Sequence, residues 1–305
     1  MNSSSTLIDF AVSRGLHVKC RDTTGPYFRS SIRRLPVDEG HVPWIVPFTG
    51  YSPSDYTADS VHGKPWADPS DPSTCKFNAI DGGVDRTSYH GNYKLSADGR
   101  PLNPFGRTGL RGRGLFGRWG PNHAADAIVS RRLTNGQLQF VAIERHDTGE
   151  LALPGGMLNI GEQPLEAAVR EFCEETLGNR PVAKLAGFWG TGRTVYRGYV
   201  DDHRNTDNAW GETMAVNFHD TEGLLDDVQL VGGDDAKSAR WVGIGQNLRL
   251  YASHEYLVAP TNSNIWVLVV SGKTRIIGEK ENQGQQVEST GGKKSKRNWG
   301  NCIYR

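Results

Sequence analysis

The segment 156–175 (GMLNIGEQPLEAAVREFCEE) limits what this chain can fold into more than any other part of the sequence. It follows a short strand-like stretch, 151–153, that ends at Pro154-Gly155-Gly156. Pro164 suits the first turn of a helix, and apolar residues then recur at the spacing of one helix face. The residues on that face are Leu165, Ala168, Val169, Phe172 and Thr176. The sequence therefore predicts a strand, a tight glycine turn and a helix over 163–177.

The predicted helix carries three carboxylates beside its apolar face. At about 100° per residue, Glu171, Glu174 and Glu175 span about a third of a turn. Like charges at this spacing repel one another, and a bound cation would remove the repulsion. Oxygen ligands favour a hard ion, Mg²⁺ or Mn²⁺, and the glycine turn allows the main-chain carbonyl of Gly155 to join them. We therefore expect a metal site rather than a solvated acidic face, with Arg170 placed to order the carboxylates.

The chain around this segment divides into parts of different character. Residues 22–121 are rich in Gly, Pro and aromatic residues and show little helical periodicity, which predicts an irregular, mostly β domain. Over 122–259 strands are expected on both sides of the helix, and Asn135-Gly136 is typical of a hairpin turn. Strands, one helix and more strands indicate an α/β domain with a mixed sheet. The predicted strands cover 127–131, 138–145, 194–200, 214–219 and 239–242.

The two ends of the chain and one Gly/Arg stretch have open interpretations. Residues 1–21 form an N-terminal extension, either a frayed terminus or a weak mitochondrial presequence. Residues 260–305 form a divergent tail, and its Gln, Gly, Ser and Lys content from about residue 278 predicts disorder. The stretch 106–120 (GRTGLRGRGLFGRWG) is interpreted first as a flexible linker, and otherwise as an ordered crossing loop whose arginines meet phosphate.

Charge, hydropathy and cysteine usage exclude several classes of protein. The formal net charge of +1 provides no general attraction to nucleic acid or to an acidic membrane. No run of about 18 apolar residues exists, so no membrane-spanning helix is predicted. The four cysteines lack a paired spacing, which argues against a zinc site and for a reducing compartment. We expect an intracellular monomer, mitochondrial or cytoplasmic, that binds no nucleic acid.

The segment 156–175 resembles the signature of the Nudix hydrolases, G-x5-E-x7-R-E-U-x-E-E-x-G-U, in which U is a bulky aliphatic residue. All six fixed positions up to the last glutamate fit, namely Gly156, Glu162, Arg170, Glu171, Glu174 and Glu175. Phe172 stands at the first U position, and Leu177 stands where the signature has Gly, with Gly178 one residue late. The second departure concerns how the helix ends rather than the metal ligands.

Further stretches resemble the ADP-ribose pyrophosphatase branch of that family, which includes a mitochondrial enzyme and the C-terminal Nudix domain of the melastatin-type cation channel gated by ADP-ribose. They are 103–125 (NPFGRTGLRGRGLFGRWGPNHAA), 198–210 (GYVDDHRNTDNAW) and 250–254 (LYASH). The resemblance implies a Nudix fold, a mixed sheet between helices, preceded by a smaller N-terminal cap domain over 22–121. It also implies Mg²⁺-dependent hydrolysis of ADP-ribose to AMP and ribose 5-phosphate.

The resemblance also implies which residues do this work. Catalysis is expected of Glu162, Arg170, Glu171, Glu174 and Glu175, and substrate binding of His123, Asp202, Arg204, Tyr251 and His254. A guanidinium such as Arg204 can hold phosphate or ribose oxygens, and a tyrosine such as Tyr251 can stack on adenine. Without the resemblance, Tyr251 would be interpreted as a core residue and His254 as a surface histidine. The general base stays open among Glu175, Asp234 and Asp235.

Two alternative functions stay open. The chain could sense ADP-ribose without cutting it, although a sensor can lose Glu174 or Glu175 and this chain keeps both. It could also be a Nudix hydrolase for another nucleoside diphosphate derivative, such as NADH, coenzyme A or capped RNA. The long N-terminal part and the stretch 198–210 argue against that second alternative.

Overall fold

The computed structural model describes residues 16–180, 182–233, 235–245 and 249–258, together with the backbone of 266–270 and 273–277. Most of the predicted extension, the predicted disorder after residue 278 and the candidate base Asp234 lie outside the described residues. Among the helices of the described part, none combines the length and the apolar character that crossing a bilayer requires.

The N-terminal part consists of short strands and single helical turns, as the sequence predicts. Its strands are β1 (Asp55–Thr57), β2 (Ile80–Asp81), β3 (Val84–Asp85) and β4 (Arg111–Gly114). β1 pairs in parallel with β4, and β2 pairs with β3 in a hairpin. Gly82 turns that hairpin with a φ of +62°, a conformation that glycine adopts without steric cost.

A mixed sheet forms the centre of the second part. Its strands are β5 (Gly120–Arg132), β6 (Leu138–Arg145), β7 (Leu151–Ala152), β8 (Gly155–Met157), β9 (Arg193–Tyr199), β10 (Ala209–Asp220), β11 (Ala236–Gly243), β12 (Trp266–Val270) and β13 (Lys273–Ile277). Their order is β11-β6-β5-β10-β9-β12-β13, with β7 paired to β6 and β8 to β5. β5 and β10 are parallel, whereas β5–β6, β6–β11 and β9–β10 are antiparallel. All five predicted strands are observed, and β5 and β10 extend well beyond the predicted bounds.

Strand β5 supplies side chains to two hydrophobic clusters. Ala125, Ala127 and Val129 pack with residues of the helix α1 (Pro164–Thr176), whereas Ile128 packs in a second cluster with Phe140. Successive residues of a strand point to opposite faces of a sheet, so this strand separates two cores. A strand buried on both faces has a nearly continuous run of buried residues rather than an alternation.

The predicted helix is observed as α1, with Pro164 in its first turn. The N–H of Gln163 donates to Glu166 at 3.4 Å, which adds a weak cap. The buried positions of the helix are Ala167, Ala168, Val169, Phe172, Glu175 and Thr176. One further α-helix, α2 (Glu255–Val258), occurs in the described residues, so few helices cover the sheet. The burial of Glu175 within an apolar face is the feature that sets this helix apart.

The Gly/Arg stretch 106–120 is an ordered and largely buried crossing loop, so the prediction of a flexible linker is wrong. At Gly109, which has a φ of +78°, a side chain would overlap the carbonyl oxygen of Leu35. Arg107 donates to the carbonyl oxygens of His41 and Pro43 at 2.7 and 2.8 Å. The glycines therefore permit close backbone contact rather than flexibility. The alternative interpretation expected the arginines of this loop to bind phosphate, whereas the guanidinium of Arg107 binds carbonyl oxygens of the protein backbone.

Residues 16–21, which we call the N-terminal strap, pack against the second part of the molecule. The side chains of Leu16, His17 and Cys20 are buried. His17 Nδ1 lies 2.7 Å from Tyr199 Oη, and His17 Nε2 lies 3.1 Å from the carbonyl oxygen of Arg107. The strap therefore joins the crossing loop to β9.

The buried His17 should make the folding of this protein sensitive to acid. Burial lowers the pKa of His17 from 6.5 to about 4, although Asp201 acts in the opposite direction. As the pH falls from 6.5 towards 4, the unfolded chain takes up a proton that the folded chain does not, so stability is lost over that window. The loss due to this one group is up to about 3 kcal/mol.

The measurement is the free energy of unfolding in denaturant between about pH 7 and about pH 5, where this linkage acts. It should fall more steeply for the wild type than for His17→Asn, because the other titrating groups are common to both. Asparagine suits this position, where φ is +64°, since it tolerates the left-handed region. Parallel curves for the two proteins would contradict the expectation.

Candidate active site

Arg170 gathers the carboxylates of the glutamate-rich segment. Its Nε and Nη2 donate to Glu162 at 2.7 and 2.9 Å. Its Nη1 donates to Glu171 at 2.7 Å and to Glu174 at 2.9 Å, and Nη2 also reaches the carbonyl oxygen of Met157 at 3.1 Å. Charge-assisted bonds of this kind are stronger than neutral ones. Arg170 is therefore placed to order the carboxylates of Glu162, Glu171 and Glu174.

The two glycines before α1 bring strand β8 against the carboxylates. The N–H of Gly155 donates to Glu175 Oε2 at 3.0 Å. At Gly156 an added Cβ would lie 2.5 Å from Cδ of Glu171, so only glycine leaves room for this carboxylate. The main chain of β8 therefore lies close to the carboxylates, as a carbonyl ligand from Gly155 would need.

Burial changes the proton affinity of two of these carboxylates. It raises the pKa of Glu171 to about 7, although Arg170 acts in the opposite direction. It raises the pKa of Glu175 to about 8, and the charges of Glu171 and Asp235 add to this rise. At Glu162 burial acts to raise the pKa, but hydrogen bonds from Arg170 and Asn159 together with the charge of Arg170 lower it. The pKa values of Glu171 and Glu175 are raised mainly by burial, so the charged form of each carboxylate is costly here unless a cation accompanies it.

The chemistry of this donor set fits a hard divalent cation. In the part of the chain that the structure describes, no three acidic, histidine or cysteine side chains converge as a ready-made metal cage. Instead, Arg170 donates to Glu171 and Glu174, while Glu175 accepts from the N–H of Gly155. The available donors are nonetheless all oxygens, clustered on one helix beside the glycines of β8, and hard cations prefer such ligands.

Asp202, Arg204 and Tyr251 form one cluster from two loops. Asp202 Oδ1 accepts from Nε of Arg204 at 3.0 Å, and Oδ2 accepts from Nη2 at 2.7 Å. The hydroxyl of Tyr251 donates to Asp202 Oδ2 at 3.1 Å. Burial opposes ionisation of Asp202, but the charge and hydrogen bonds of Arg204 hold its pKa well below the usual range. Asp202 therefore joins two other expected substrate residues, Arg204 and Tyr251, through direct hydrogen bonds.

His254 lies between this cluster and the glycines of β8, which the sequence predicts as a tight turn. Its Nδ1 accepts from the N–H of Leu153 at 3.1 Å, so the neutral ring carries its proton on Nε2. Nε2 lies 3.7 Å from Asp126 Oδ1, and burial lowers the pKa of His254, although Asp126 acts in the opposite direction. Asp126 pairs with Gly155 across β5 and β8. His254 is therefore a buried residue, not the surface histidine that its sequence alone indicates.

His123 makes its contacts with another group of residues. Its ring stacks on Tyr89 with centroids 4.8 Å apart, and its Nε2 lies 3.9 Å from Glu212 Oε2. That nitrogen is buried and has no hydrogen-bond partner among the described residues. The structure thus brings His123 to residues of the N-terminal part and β10, and not into contact with the cluster of Asp202, Arg204 and Tyr251.

Two charged residues at the site were missed by sequence reasoning. The Arg145 guanidinium lies 4.2 Å from the ring centroid of Tyr251, and Asp147 holds it through bonds of 2.9 and 2.8 Å. Asp126, the neighbour of His254, lies within the apolar stretch 124–129 of β5 and is buried. A carboxylate that interrupts this apolar stretch is the signal that could have revealed Asp126. Arg145 merely ends a predicted strand and offers no such signal.

Two family models match adjoining parts of the chain. The model of the NUDT9-like N-terminal domain matches residues 37–120, and that of the NUDIX domain matches residues 122–259. The expected Nudix fold, a mixed sheet with few helices behind an N-terminal domain of mostly strands, is confirmed.

Similar proteins cover most of the chain. It is 51% identical over 248 residues to "Putative nudix hydrolase 6" of Caenorhabditis elegans, across 80% of this chain and 95% of that protein. It is 45% identical over 270 residues to "ADP-ribose pyrophosphatase, mitochondrial" of Rattus norvegicus, across 79% of this chain and 76% of that protein. It is 44% identical to "Transient receptor potential cation channel subfamily M member-like 2" of Nematostella vectensis, across 78% of this chain and 17% of that protein. The chain therefore belongs to the Nudix hydrolase family.

Proposed function

We propose that this protein hydrolyses the pyrophosphate of ADP-ribose to AMP and ribose 5-phosphate with Mg²⁺. The observation that carries the proposal is a carboxylate-rich Nudix helix in the same molecule as the buried cluster of Asp202, Arg204 and Tyr251. The 45% identity to a rat protein named as a mitochondrial ADP-ribose pyrophosphatase supports this choice of substrate.

Glu171, Glu174, Glu175 and the main-chain carbonyl of Gly155 are the proposed ligands of Mg²⁺, with Mn²⁺ as the alternative ion. When bound, the ion supplies neutralisation of phosphate charge and lowers the pKa of a coordinated water. Arg170 orients the carboxylates, because its donors are already directed to them. Glu162 in turn fixes Arg170 through two hydrogen bonds.

Arg204 is the proposed contact to phosphate or ribose oxygens. Asp202 accepts hydrogen bonds from Nε and Nη2 of Arg204. The guanidinium is therefore fixed before substrate arrives, which lowers the ordering cost of binding. Tyr251 is 3% exposed, and Arg145 covers one face of its ring. We therefore propose that Tyr251 acts through its hydroxyl rather than by stacking on adenine. His254 and His123 complete the proposed set of substrate residues.

The test is an assay of the purified protein with ADP-ribose and Mg²⁺. AMP and ribose 5-phosphate should appear, and EDTA should stop their release, because the proposed ligands act only through the ion. NADH, coenzyme A and capped RNA are the comparison substrates. If one of them were cleaved with a kcat/KM about tenfold higher, the assignment to ADP-ribose would be wrong.

Gly156→Ala is expected to reduce turnover about a hundredfold, because displacing a reacting group by about 1 Å costs this much. The added methyl group would overlap the carboxylate of Glu171. Gly187→Ala is the matched control, since no atom lies within 4 Å of an added Cβ there and φ is −75°. The measurement is kcat of both variants by steady-state kinetics. An undiminished kcat in Gly156→Ala would show that catalysis does not depend on the present position of the Glu171 carboxylate.

A sensor that binds ADP-ribose without cutting it is the second candidate. The 44% identity to part of a cation channel favours it. Against it, both Glu174 and Glu175 are present and are held by Arg170 and Gly155. If the protein bound ADP-ribose at micromolar affinity and released no AMP, it would be a sensor and not a hydrolase of ADP-ribose.

We propose a reducing compartment for this protein, and more specifically the mitochondrion, because the rat relative is named as mitochondrial. None of the three described cysteines takes part in a disulfide, as such a compartment requires. A monomer that needs no macromolecular partner is the proposed active form, and sedimentation of the purified protein would test it.

A further inference from the structure

The N-terminal strap is bound to the loop that carries Asp202 and Arg204. Asp201, which is buried, accepts hydrogen bonds from the backbone N–H groups of three successive strap residues, 18–20, at 2.7, 3.0 and 3.1 Å. The N–H of Asp201 donates to Ser253 Oγ at 3.1 Å. The carboxylate of Asp201 therefore fixes the strap directly beside the proposed substrate residues, and the backbone N–H of Asp201 connects the same residue to a second loop.

Lys19 extends from the strap onto that second loop, 250–255. Its Nζ donates to the carbonyl oxygen of Leu250 at 3.5 Å and to that of Ala252. It also lies 3.2 Å from Glu255 Oε1. The side chain of Lys19 is 42% exposed, so it fills no space in the hydrophobic core. A single ammonium group thus binds the loop at three points.

Ala252, one of these points, has a strained backbone. Its φ is +50°, in the left-handed region that residues with a Cβ avoid. It follows Tyr251 directly and precedes His254 by two positions, and it is buried between them. Strain of this kind persists only where surrounding contacts enforce it. The bond from Lys19 to the carbonyl oxygen of Ala252 is such a contact.

We propose that Lys19 is a positioning residue that holds Ala252 in its left-handed conformation and thereby fixes Tyr251 and His254 for substrate. Lys19 acts through Ala252 and does not touch the substrate. The identity of that substrate rests on the proposed function, whereas the effect of Lys19 on the loop does not. A loop fixed in advance binds more tightly, since less ordering accompanies binding.

Lys19→Met tests this, because it keeps the alkyl chain and removes the ammonium. The KM for ADP-ribose should rise about tenfold while kcat changes by less than about threefold, since the carboxylates of α1 are untouched. In an Ala252→Gly background the same change should raise KM by less than about threefold, because glycine adopts a positive φ without strain. An equal rise in both backgrounds would overturn the proposal.

Amide hydrogen exchange provides a measurement that needs no turnover. The N–H of Tyr251 donates to the carbonyl oxygen of Leu151 at 2.7 Å, and that of His254 to the carbonyl oxygen of Tyr251 at 3.2 Å. Lys19→Met should speed the exchange of both amides and leave those of α1 unchanged. Lys184→Met is the matched control, because Lys184 is 38% exposed and also ion-paired.

The outcomes separate the two ideas. If the exchange rates of the Tyr251 and His254 amides were unchanged in Lys19→Met, the proposed role of Lys19 would be wrong, whatever the substrate is. Faster exchange in the variant, together with a wild type that releases no AMP from ADP-ribose, would uphold the role of Lys19 in the loop and reject the proposed function alone.

Discussion

The double substitution Glu174→Gln, Glu175→Gln is expected to lower kcat for ADP-ribose about a thousandfold. This figure corresponds to about 4 kcal/mol of transition-state stabilisation by the ion that the two carboxylates help to hold. A neutral amide is a poor substitute for a carboxylate around Mg²⁺. Arg170 keeps its bonds to Glu162 and Glu171, so the remaining carboxylates stay ordered. The loss should therefore come from the metal site itself.

The fold should survive this double substitution. Glu175 is 3% exposed and burial raises its pKa to about 8, so at neutral pH the metal-free protein must take up a proton there on folding, which opposes folding. A glutamine oxygen can still accept from the N–H of Gly155. Calorimetry should show ADP-ribose binding with little change, and Glu166→Gln on the same helix is the matched control. Full activity in the double variant would remove the carboxylates from the mechanism.

Arg204→Ala is expected to weaken both folding and substrate binding. Asp202 is 2% exposed and would lose two hydrogen bonds from the guanidinium. Leaving this buried charge without its partner lowers the free energy of unfolding by about 3 kcal/mol. Loss of a charged hydrogen bond to the substrate weakens binding by roughly 1.5–3 kcal/mol in addition. Denaturant unfolding and calorimetry with ADP-ribose measure the two effects separately.

A second variant distinguishes a substrate contact from a structural effect. Arg204→Ala combined with Asp202→Asn removes both charges, so most of the lost free energy of unfolding should return. Affinity for ADP-ribose should not return, because the guanidinium is still absent. If affinity recovered together with stability, Arg204 would support the loop without contacting the substrate.

The helix and its carboxylates could be predicted from sequence because their determinants are local. Pro164 and the apolar spacing define α1 within one short segment, and the position of Glu175 beside that face follows from helix geometry. Arg170 lies only eight positions from Glu162 and four from Glu174. Contacts between residues so close in sequence follow from the geometry of the helix and of the few residues before it.

Contacts between distant segments could not be predicted in this way. Asp201 binds residues 18–20 across more than 180 positions, and Asp126 meets His254 only because two strands and a loop converge. The crossing loop misled the prediction for a related reason. Its glycines resemble those of a linker, whereas at Gly109 a neighbouring backbone leaves no room for a side chain. Composition alone does not distinguish these two uses of glycine.

The crossing loop also determines how this molecule can be divided. The two family models meet between residues 120 and 122, yet this junction lies inside β5, where Gly120 is already paired with Ala209. The N–H of Gly120 donates to the carbonyl oxygen of Asn208 at 2.8 Å. A cut at the junction would therefore remove the first residue of β5 from the central sheet. The boundary that sequence comparison draws therefore does not coincide with a structural boundary, and a recombinant protein that exchanges the second part between relatives should carry the first part with it.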